Sequence, residues 1–590
     1  MTSSFPRGRP RRGRSQISVR VVHALAGGLV AVMWLTLPGT AVDGGVGGGA
    51  DRPVAGAVGQ EEDEGNGGNA AVDLVLPVAA LVATGVLAGY GFFRRRRRAR
   101  GRTTPGGAAA QAGEPPVGEL DERARAALVE ADDWLRVSTE ELGFVTERFG
   151  AQDAARIEPF TRVLRDAEAE LAVAFRMRWQ YEAGVPEEAA ARRHALAGVV
   201  GRCEEAGRLL DGQAAAFDQT RALEEGLGGG LGHALVVAEG RFRELTARTG
   251  GAGKLLGELG ERYGPAATAA VAGHVEQAKD RLVFATTRLN HARQLADSGE
   301  VGRSAAQLRA AEGATAQAAV LIDGVERLAE ALATATAMVP AALTGGEMEI
   351  AGARELLRGF DAGLRATEGA EPAGELDAPG TAGDSGPPRS PGSPGPPESP
   401  GAVDVPPGEL RARVVHADLA LSRVREELTS GRPYDPLGLL RHIVRAVAPL
   451  AAGRAGVLPA AAAVCAHSAV AGADGVVATH RAAVGCAART HLAEARRLLG
   501  TPADGSAGRG ARRVLADLVV ADTLAQQAHD LAEQDIRAHG HPIDIPGADI
   551  SGLTGAVLGG VMLGQEPDGG PPVSFGGSRS RGRRGDQGRT

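Results

Sequence analysis

The run Leu74–Phe93, LVLPVAALVATGVLAGYGFF, constrains this chain more than any other stretch, because its 20 residues carry no charge. At 1.5 Å per residue, a helix of that length is about 30 Å long, the hydrocarbon thickness of a bilayer. Arg94, Arg95, Arg96, Arg97 and Arg98 follow without a break, with Arg100 and Arg102 just beyond. A buried helix of a soluble protein rarely ends on five consecutive arginines. A stop-transfer segment does so routinely, because the charged groups are retained on the cytoplasmic side. Before the run stand Glu61, Glu62, Asp63 and Glu64, with no basic residue after Arg52. These features predict a single transmembrane helix over 74–93 at the cell membrane, with the bulk of the chain cytoplasmic. The seven arginines flank the membrane and face its anionic lipid headgroups.

Upstream, Arg7, Arg9, Arg11, Arg12, Arg14 and Arg20 precede the apolar run Ala24–Leu37 and the exit Pro38-Gly39-Thr40-Ala41. A basic region, a short apolar core and a small-residue exit form a signal peptide over 1–41, cleaved after Ala41. Val21–Leu37 also has the minimum length for an uncleaved anchor, and both readings give the same topology. Residues 42–73 are acidic and Gly-rich, with too few large apolar side chains for a core. They are expected to be a short extracytoplasmic segment.

Downstream, 94–118 reads as a basic stop and a Gly/Pro/Ala tether, and helical periodicity begins at Glu119. Leu128, Leu135, Leu142 and Phe149 recur every seven residues, with Ala131 and Val145 between them. Ile157, Phe160, Leu164, Ala167, Leu171 and Ala174 alternate spacings of three and four. Leu196, Val199, Cys203, Ala206 and Leu210 do the same, with Phe217 one heptad further. Such stripes mark amphipathic helices. Gly150 and Gly184–Pro186 mark turns between them. Glycines break the pattern over 226–265 around a short helix, His233–Arg248. A helix then runs over Val275–Ala292, another from Leu308 to near Pro340, and a last piece over Glu347–Leu364.

This first helical region, 119–367, ends at a Pro/Gly/Ser-rich segment, 368–408, expected to be a disordered linker in which prolines forbid a continuous helix. A second helical region follows over 409–538. The tail, 539–590, is Gly/Pro-rich and is expected to be disordered. Aromatic residues make up only 3% of the chain while glycine numbers 86, which disfavours a β-sandwich or barrel. The predicted class is all-α: a single-pass membrane protein whose cytoplasmic part forms elongated helical bundles with coiled-coil character. The expected picture has the two regions moving independently about the linker.

Little in the sequence signals chemistry. It lacks a GxxxxGK[ST] phosphate loop, an HExxH helix, a CxxC pair and a G-x-S-x-G elbow. Cys465, His467, His480, Cys486 and His491 fall within 27 residues, but their spacing matches no structural zinc site, and a lone Cys in an Ala-rich helix is usually core filler. His539, His541 and Asp544 are weaker still. No catalytic, cofactor-binding or metal residue is therefore assigned, and no cofactor is expected. The acidic pairs Asp132-Asp133, Glu140-Glu141 and Glu204-Glu205 read as the solvated sides of the stripes. A net charge of −7 disfavours a nucleic-acid partner.

Several pieces, in order, resemble the actinobacterial TPM-domain membrane proteins. They are DERARAALVEADDWLRVSTEELGFVTERFG at 121–150, AELAVAFRMRWQ at 169–180 and CEEAGRLLDGQAAAFDQTRALE at 203–224. The long piece at 278–329 is similar as well, as are GRPYDPLGLL at 431–440, RAAVGCAARTHLAEARRLL at 481–499, LAEQDI at 531–536 and GAVLGGVMLG at 555–564. The resemblance implies a signal peptide, an extracytoplasmic TPM domain, one transmembrane helix and a long cytoplasmic helical region. In some members it also implies metal-dependent acid phosphatase activity. Residues 42–73 are too short for a TPM domain, so none of its functional residues is carried over. The sequence thus predicts a noncatalytic, membrane-tethered helical scaffold or interaction module. Its expected partners are the lipid bilayer and a second copy or another helical protein. The alternative is a degenerate member or subunit of a TPM-type phosphatase system, acting with a separate TPM-domain protein.

Overall fold

The chain divides into two compact units, Met1–Ala110 and Gln111–Thr590. The computed structural model describes residues 116–150, 153–223, 230–368, 405–452, 454–500, 509–539, 553–562 and 571–580, all in the second unit. The expected signal peptide, transmembrane helix, arginine cluster and linker lie outside the described residues.

Thirteen α-helices run through the described residues: α1 (Val117–Phe149), α2 (Ala154–Glu182), α3 (Ala189–Arg221), α4 (Gly230–Tyr263), the single turn α5 (Pro265–Thr268), α6 (His274–Asp297) and α7 (Val301–Glu368). Beyond the linker come α8 (Pro407–Thr429), α9 (Pro436–Val447), α10 (Val457–Thr479), α11 (Cys486–Leu499), α12 (Arg509–His539) and the short α13 (Leu553–Leu558). Among the described residues the extended structure is one isolated bridge, Met562 with Pro572. The chain is all-α, as its periodicity predicts.

Helices α1, α2 and α3 form a bundle whose core uses the expected stripes. Leu128, Phe160, Leu164, Leu171, Leu196, Val199, Leu210 and Phe217 are buried together. Glu119 sits in the first turn of α1 and Arg148 in its last, each favourable to the helix dipole. Gly150, at φ +65°, supplies the left-handed turn that ends α1.

Helix α7 organises the rest. Its 68 residues make a rod of about 100 Å. Its first half packs against α4 and α6 through Leu308, Ala311, Leu321, Ile322 and Val325. Its second half, from Leu332 to Leu357, enters one core with α8, α9, α10 and part of α12. The sequence ends one helix near Pro340 and begins the next at Glu347, but α7 runs unbroken through both. Proline removes one amide donor, leaving the Thr336 carbonyl without its usual partner four residues on. A Cβ on Gly345 would lie 2.7 Å from Val457 Cγ1, and one on Gly346 would lie 3.1 Å from Val447 Cγ2. The glycines therefore mark where other helices come closest, not where α7 ends. Helix α4 likewise runs unbroken through Gly250, Gly251 and Gly257.

The two helical regions are therefore not separate arms: residues 410–466 share their core with residues 332–357. Two parts of the tail also belong to this body. Leu553, Ala556, Val561 and Met562 pack on Phe284, Ala310 and Ala314. Phe575 is fully buried among α1–α3 and stacks on Phe217 at 4.1 Å. Asp211 of α3 accepts hydrogen bonds from the backbone amides of Gly577 and Ser580.

By length and composition, two of these helices, Val301–Arg365 and Val457–Thr479, are apolar enough to cross a membrane. Both pack against several other helices of the body, α10 against α7, α9, α11 and α12.

Candidate functional site

Two arrangements concentrate polar groups: a set of buried ion pairs between the regions, and a cavity among the helices.

The ion pairs come first because they correct a sequence reading. Asp132, Asp133, Glu140 and Glu141 were expected on a solvated face, yet Asp132 and Glu141 are buried. Arginines from distant segments meet all four. Arg489 of α11, 2% exposed, donates to Asp132 and to Asp133 at 2.8 Å, and also to the Arg481 and Val484 carbonyls. Arg481 reaches Glu140 at 3.0 Å and the Gly559 carbonyl. Arg136 joins Asp132 to Asp474 of α10. Arg221 holds Glu312 of α7 through both carboxylate oxygens at 2.7 Å and lies 3.4 Å from Glu141. Burial by itself raises the Asp132 carboxyl, but the Arg136 and Arg489 guanidiniums outweigh it and hold it down at about 2. These pairs fasten α1 to the distal helices and α3 to α7. By contrast, Glu204 and Glu205 make exposed pairs with Arg123 and Arg208.

The cavity, about 350 Å³, lies where α5, the start of α6, the middle of α7, α9, α10 and α12 meet. Its walls are short: Ala266, Ala267, Ala270, Ala469, Gly472, Gly475 and Ala525 leave the gap between helices unfilled. Among the polar groups lining it, His274, Asp435, Arg441, Gln526 and His529 are part-buried, while Arg327 and Asp530 are exposed. Asp435 precedes Pro436, the first residue of α9, a favoured place for proline. It makes no side-chain capping bond, and its Oδ1 is buried without a hydrogen-bond partner among the described residues. Gly438 makes room for this carboxylate, since a Cβ there would meet Asp435 Oδ2 at 2.7 Å.

Burial pushes the His274 imidazole below its ordinary value, helped by the charge of Arg327 and opposed by a hydrogen bond to the Leu321 backbone. The ring is therefore neutral. With one nitrogen donating to a carbonyl, the other is a bare acceptor. That atom, Nδ1, is buried and unpartnered, against the bare Cα of Gly324, where a Cβ would lie 3.0 Å away. Arg441 is occupied by Asp522 at 2.9 Å. The cavity is lined by small apolar side chains together with the mixed polar groups Ser468, Gln526, His529 and Arg441.

The structure scatters the sequence-level metal candidates. Cys465 is buried in the distal core with its Sγ 3.9 Å from the Leu437 carbonyl. Cys486 is buried in the α1–α3 core beside Thr490. His467 is exposed and His491 part-buried, and each bonds to the carbonyl four residues back. His480 is driven down to about 4 by burial and then by the charge of Arg281. His539 ends α12; His541 and Asp544 lie outside the described residues, as do Arg94–Arg98, Arg100 and Arg102. Among the described residues no group of three or more His, Cys, Asp or Glu side chains is placed to hold a metal ion. The sequence reading missed His274 and Asp435. The available signal was the small-residue run of α10 with Gly472 and Gly475, together with Asp435-Pro436 inside GRPYDPLGLL.

No family model matches the chain, and no solved structure matches it. It is similar to two UPF0603 proteins of Mycobacterium tuberculosis, Rv2345 and MT2410, from different strains. Each is 29% identical over 489 residues, a stretch covering 78% of this chain and 65% of the relative. The chain thus spans a little under two thirds of the length of these relatives. The likeness links it broadly to actinobacterial proteins.

Proposed function

We propose that this protein is a noncatalytic, membrane-tethered interaction module, its helical body held at the cytoplasmic face by the helix at 74–93 and docking a second copy or another helical protein. The observation carrying the docking role is a set of exposed apolar side chains on α7 and α8, which pack against each other. Val415 and Leu419 of α8 are 57% and 58% exposed, and Phe360 and Leu364 of α7 are 41% and 57% exposed. Each pair is spaced i,i+4, one turn apart on its helix, the pattern an amphipathic partner helix reads. The anchoring role rests on the uncharged run and the seven arginines. The test is sedimentation of the full-length chain in detergent. Wild-type protein is expected to assemble, and the double variant Val415→Glu, Leu419→Glu to run as a monomer with unchanged helical content. A monomeric wild type that captures no helical partner from its own membranes overturns this reading.

A second reading draws on the resemblance to TPM-domain membrane proteins and on the 65% coverage of the mycobacterial relatives. In it, the helical body works beside a TPM domain carried by a separate protein, as a subunit of a phosphatase system. It predicts co-purification with a TPM-domain protein and no hydrolysis of p-nitrophenyl phosphate by the purified chain alone.

A further inference from the structure

We infer that the cleft of the α1–α3 bundle that holds Phe575 is a peptide-recognition site for an extended Phe-Gly-Gly segment, with residues 574–580 of the tail as its resident, exchangeable ligand. This does not depend on the docking role proposed above, which rests on α7 and α8.

The argument starts from how the tail is held. Phe575 enters the bundle as one ring, stacked on Phe217 at 4.1 Å and edge-on to Phe160 at 6.2 Å. Beyond the ring, the bundle grips the tail mainly by its backbone. Glu141 of α1 accepts from the Phe575 amide and Ser138 from the Gly576 amide, each at 3.2 Å. Asp211 of α3 accepts from the amides of Gly577, Arg579 and Ser580 at 2.8, 3.3 and 3.1 Å. It also accepts from the Ser580 hydroxyl at 2.7 Å. Helices packed on one another meet through side chains, because their own amides are spent inside each helix. Main-chain bonds for affinity and a pocket for one side chain are instead how proteins hold extended peptides.

Two glycines set what the cleft accepts. Gly576 has φ +120°, a conformation that side chains disfavour, and a Cβ there would meet Ser580 Cβ at 2.6 Å. A Cβ on Gly577 would run into the Gly207 carbonyl of α3. Gly207 is itself bare where Trp134 packs, since a Cβ there would lie 2.6 Å from Trp134 Cζ3. The site therefore reads an aromatic residue followed by two glycines, with the hydroxyl of Ser580 completing the contact at Asp211. One ring and a few hydrogen bonds carry the whole contact, so the same sequence supplied in trans can replace the tail.

The test uses the full-length chain in detergent and a fluorescently labelled peptide of residues 571–580, PPVSFGGSRS, read by anisotropy. Two chain variants open the site, and thermal melts follow the folding of both. Phe575→Ala withdraws the ring. Gly577→Val blocks the tail against Gly207 and leaves every residue of the cleft unchanged. The peptide is expected to bind both opened chains saturably and the wild type at least tenfold more weakly, because its cleft is filled by a tethered competitor. Adding Asp211→Ala to the Gly577→Val chain should weaken binding about tenfold or more, and a peptide carrying Gly577→Val should not bind. The inference is overturned if the folded, opened chains show no saturable binding, if the wild type binds as tightly as they do, or if the Gly577→Val peptide binds equally well. Loss of the cooperative melt in both opened chains also overturns it, since the tail would then be part of the core and not a ligand.

Discussion

The bundle α1–α3 and the distal helices α8–α12 reach the same end, a packed helical core, by different means. In α1–α3 the core is built from large side chains, Trp134, Phe160, Phe175 and Phe217 among them, spaced in heptad-like stripes within one stretch of chain. In the distal region the helices are rich in alanine, and their main core is completed by Leu332, Val339, Ile350 and Leu357 of α7. The first is nearly self-sufficient and the second is not. Large side chains bury enough area locally, about 1.5–3 kcal/mol for each Leu or Phe, whereas an alanine face must find a close neighbour before it buries much. The difference teaches that an apolar stripe measures helix formation well and domain independence poorly.

The comparison is broken most directly at the buried charges that join the two parts. Arg489→Met removes the buried guanidinium that ties α11 to the buried Asp132 and part-buried Asp133, and should destabilise the protein by about 3 kcal/mol. Urea unfolding is expected to lose its single transition, with α1–α3 and the distal helices melting separately; one unchanged transition would show that the apolar contacts suffice.

Phe575→Ala sharpens the same comparison from the other side, because here the proximal core borrows a residue from the tail. Loss of a fully buried ring stacked on Phe217 should cost about 3 kcal/mol. It should be visible as a lowered melting temperature.

A pH titration locates the junction between the parts. His480 has a folded value of about 4 against about 6.5 unfolded. Between these values the unfolded chain binds more protons, so stability is full above about pH 6.5 and falls as pH drops toward 4, by about 3 kcal/mol in all. His480→Asn should remove most of that slope. Asp132 acts lower: its stabilisation is complete above about pH 4 and is lost as pH falls to about 2.

The smallest effects contrast two glycines. Gly345→Ala gains helix propensity but drives a Cβ to 2.7 Å from Val457 Cγ1, so a net loss of about 1–2 kcal/mol is expected. Gly250→Ala, in α4 with nothing within 4 Å, should instead stabilise by about 0.5–1 kcal/mol. Thermal melts of the pair read the difference in sign.

The sequence by itself determined the helices. Spacings of three, four and seven fixed which faces of α1, α2 and α3 are buried, and every residue named in the stripes of α2 and α3 lies in the core. It could not determine which helix meets which, because periodicity records a face and not its partner. Asp132, Glu140 and Glu141 read as solvated since Arg489, Arg481 and Arg221, which meet them in the fold, lie 357, 341 and 80 positions further along the chain. The stretch between Pro340 and Glu347 read as a break between helices, since only the approach of Val457, Val447 and Leu421 shows why Gly345 and Gly346 carry no side chain. The cavity belongs wholly to the tertiary structure. His274 and Asp435 stand 161 positions apart, and they line one space because the small residues of α10 cannot fill the gap where α7, α9 and α12 converge.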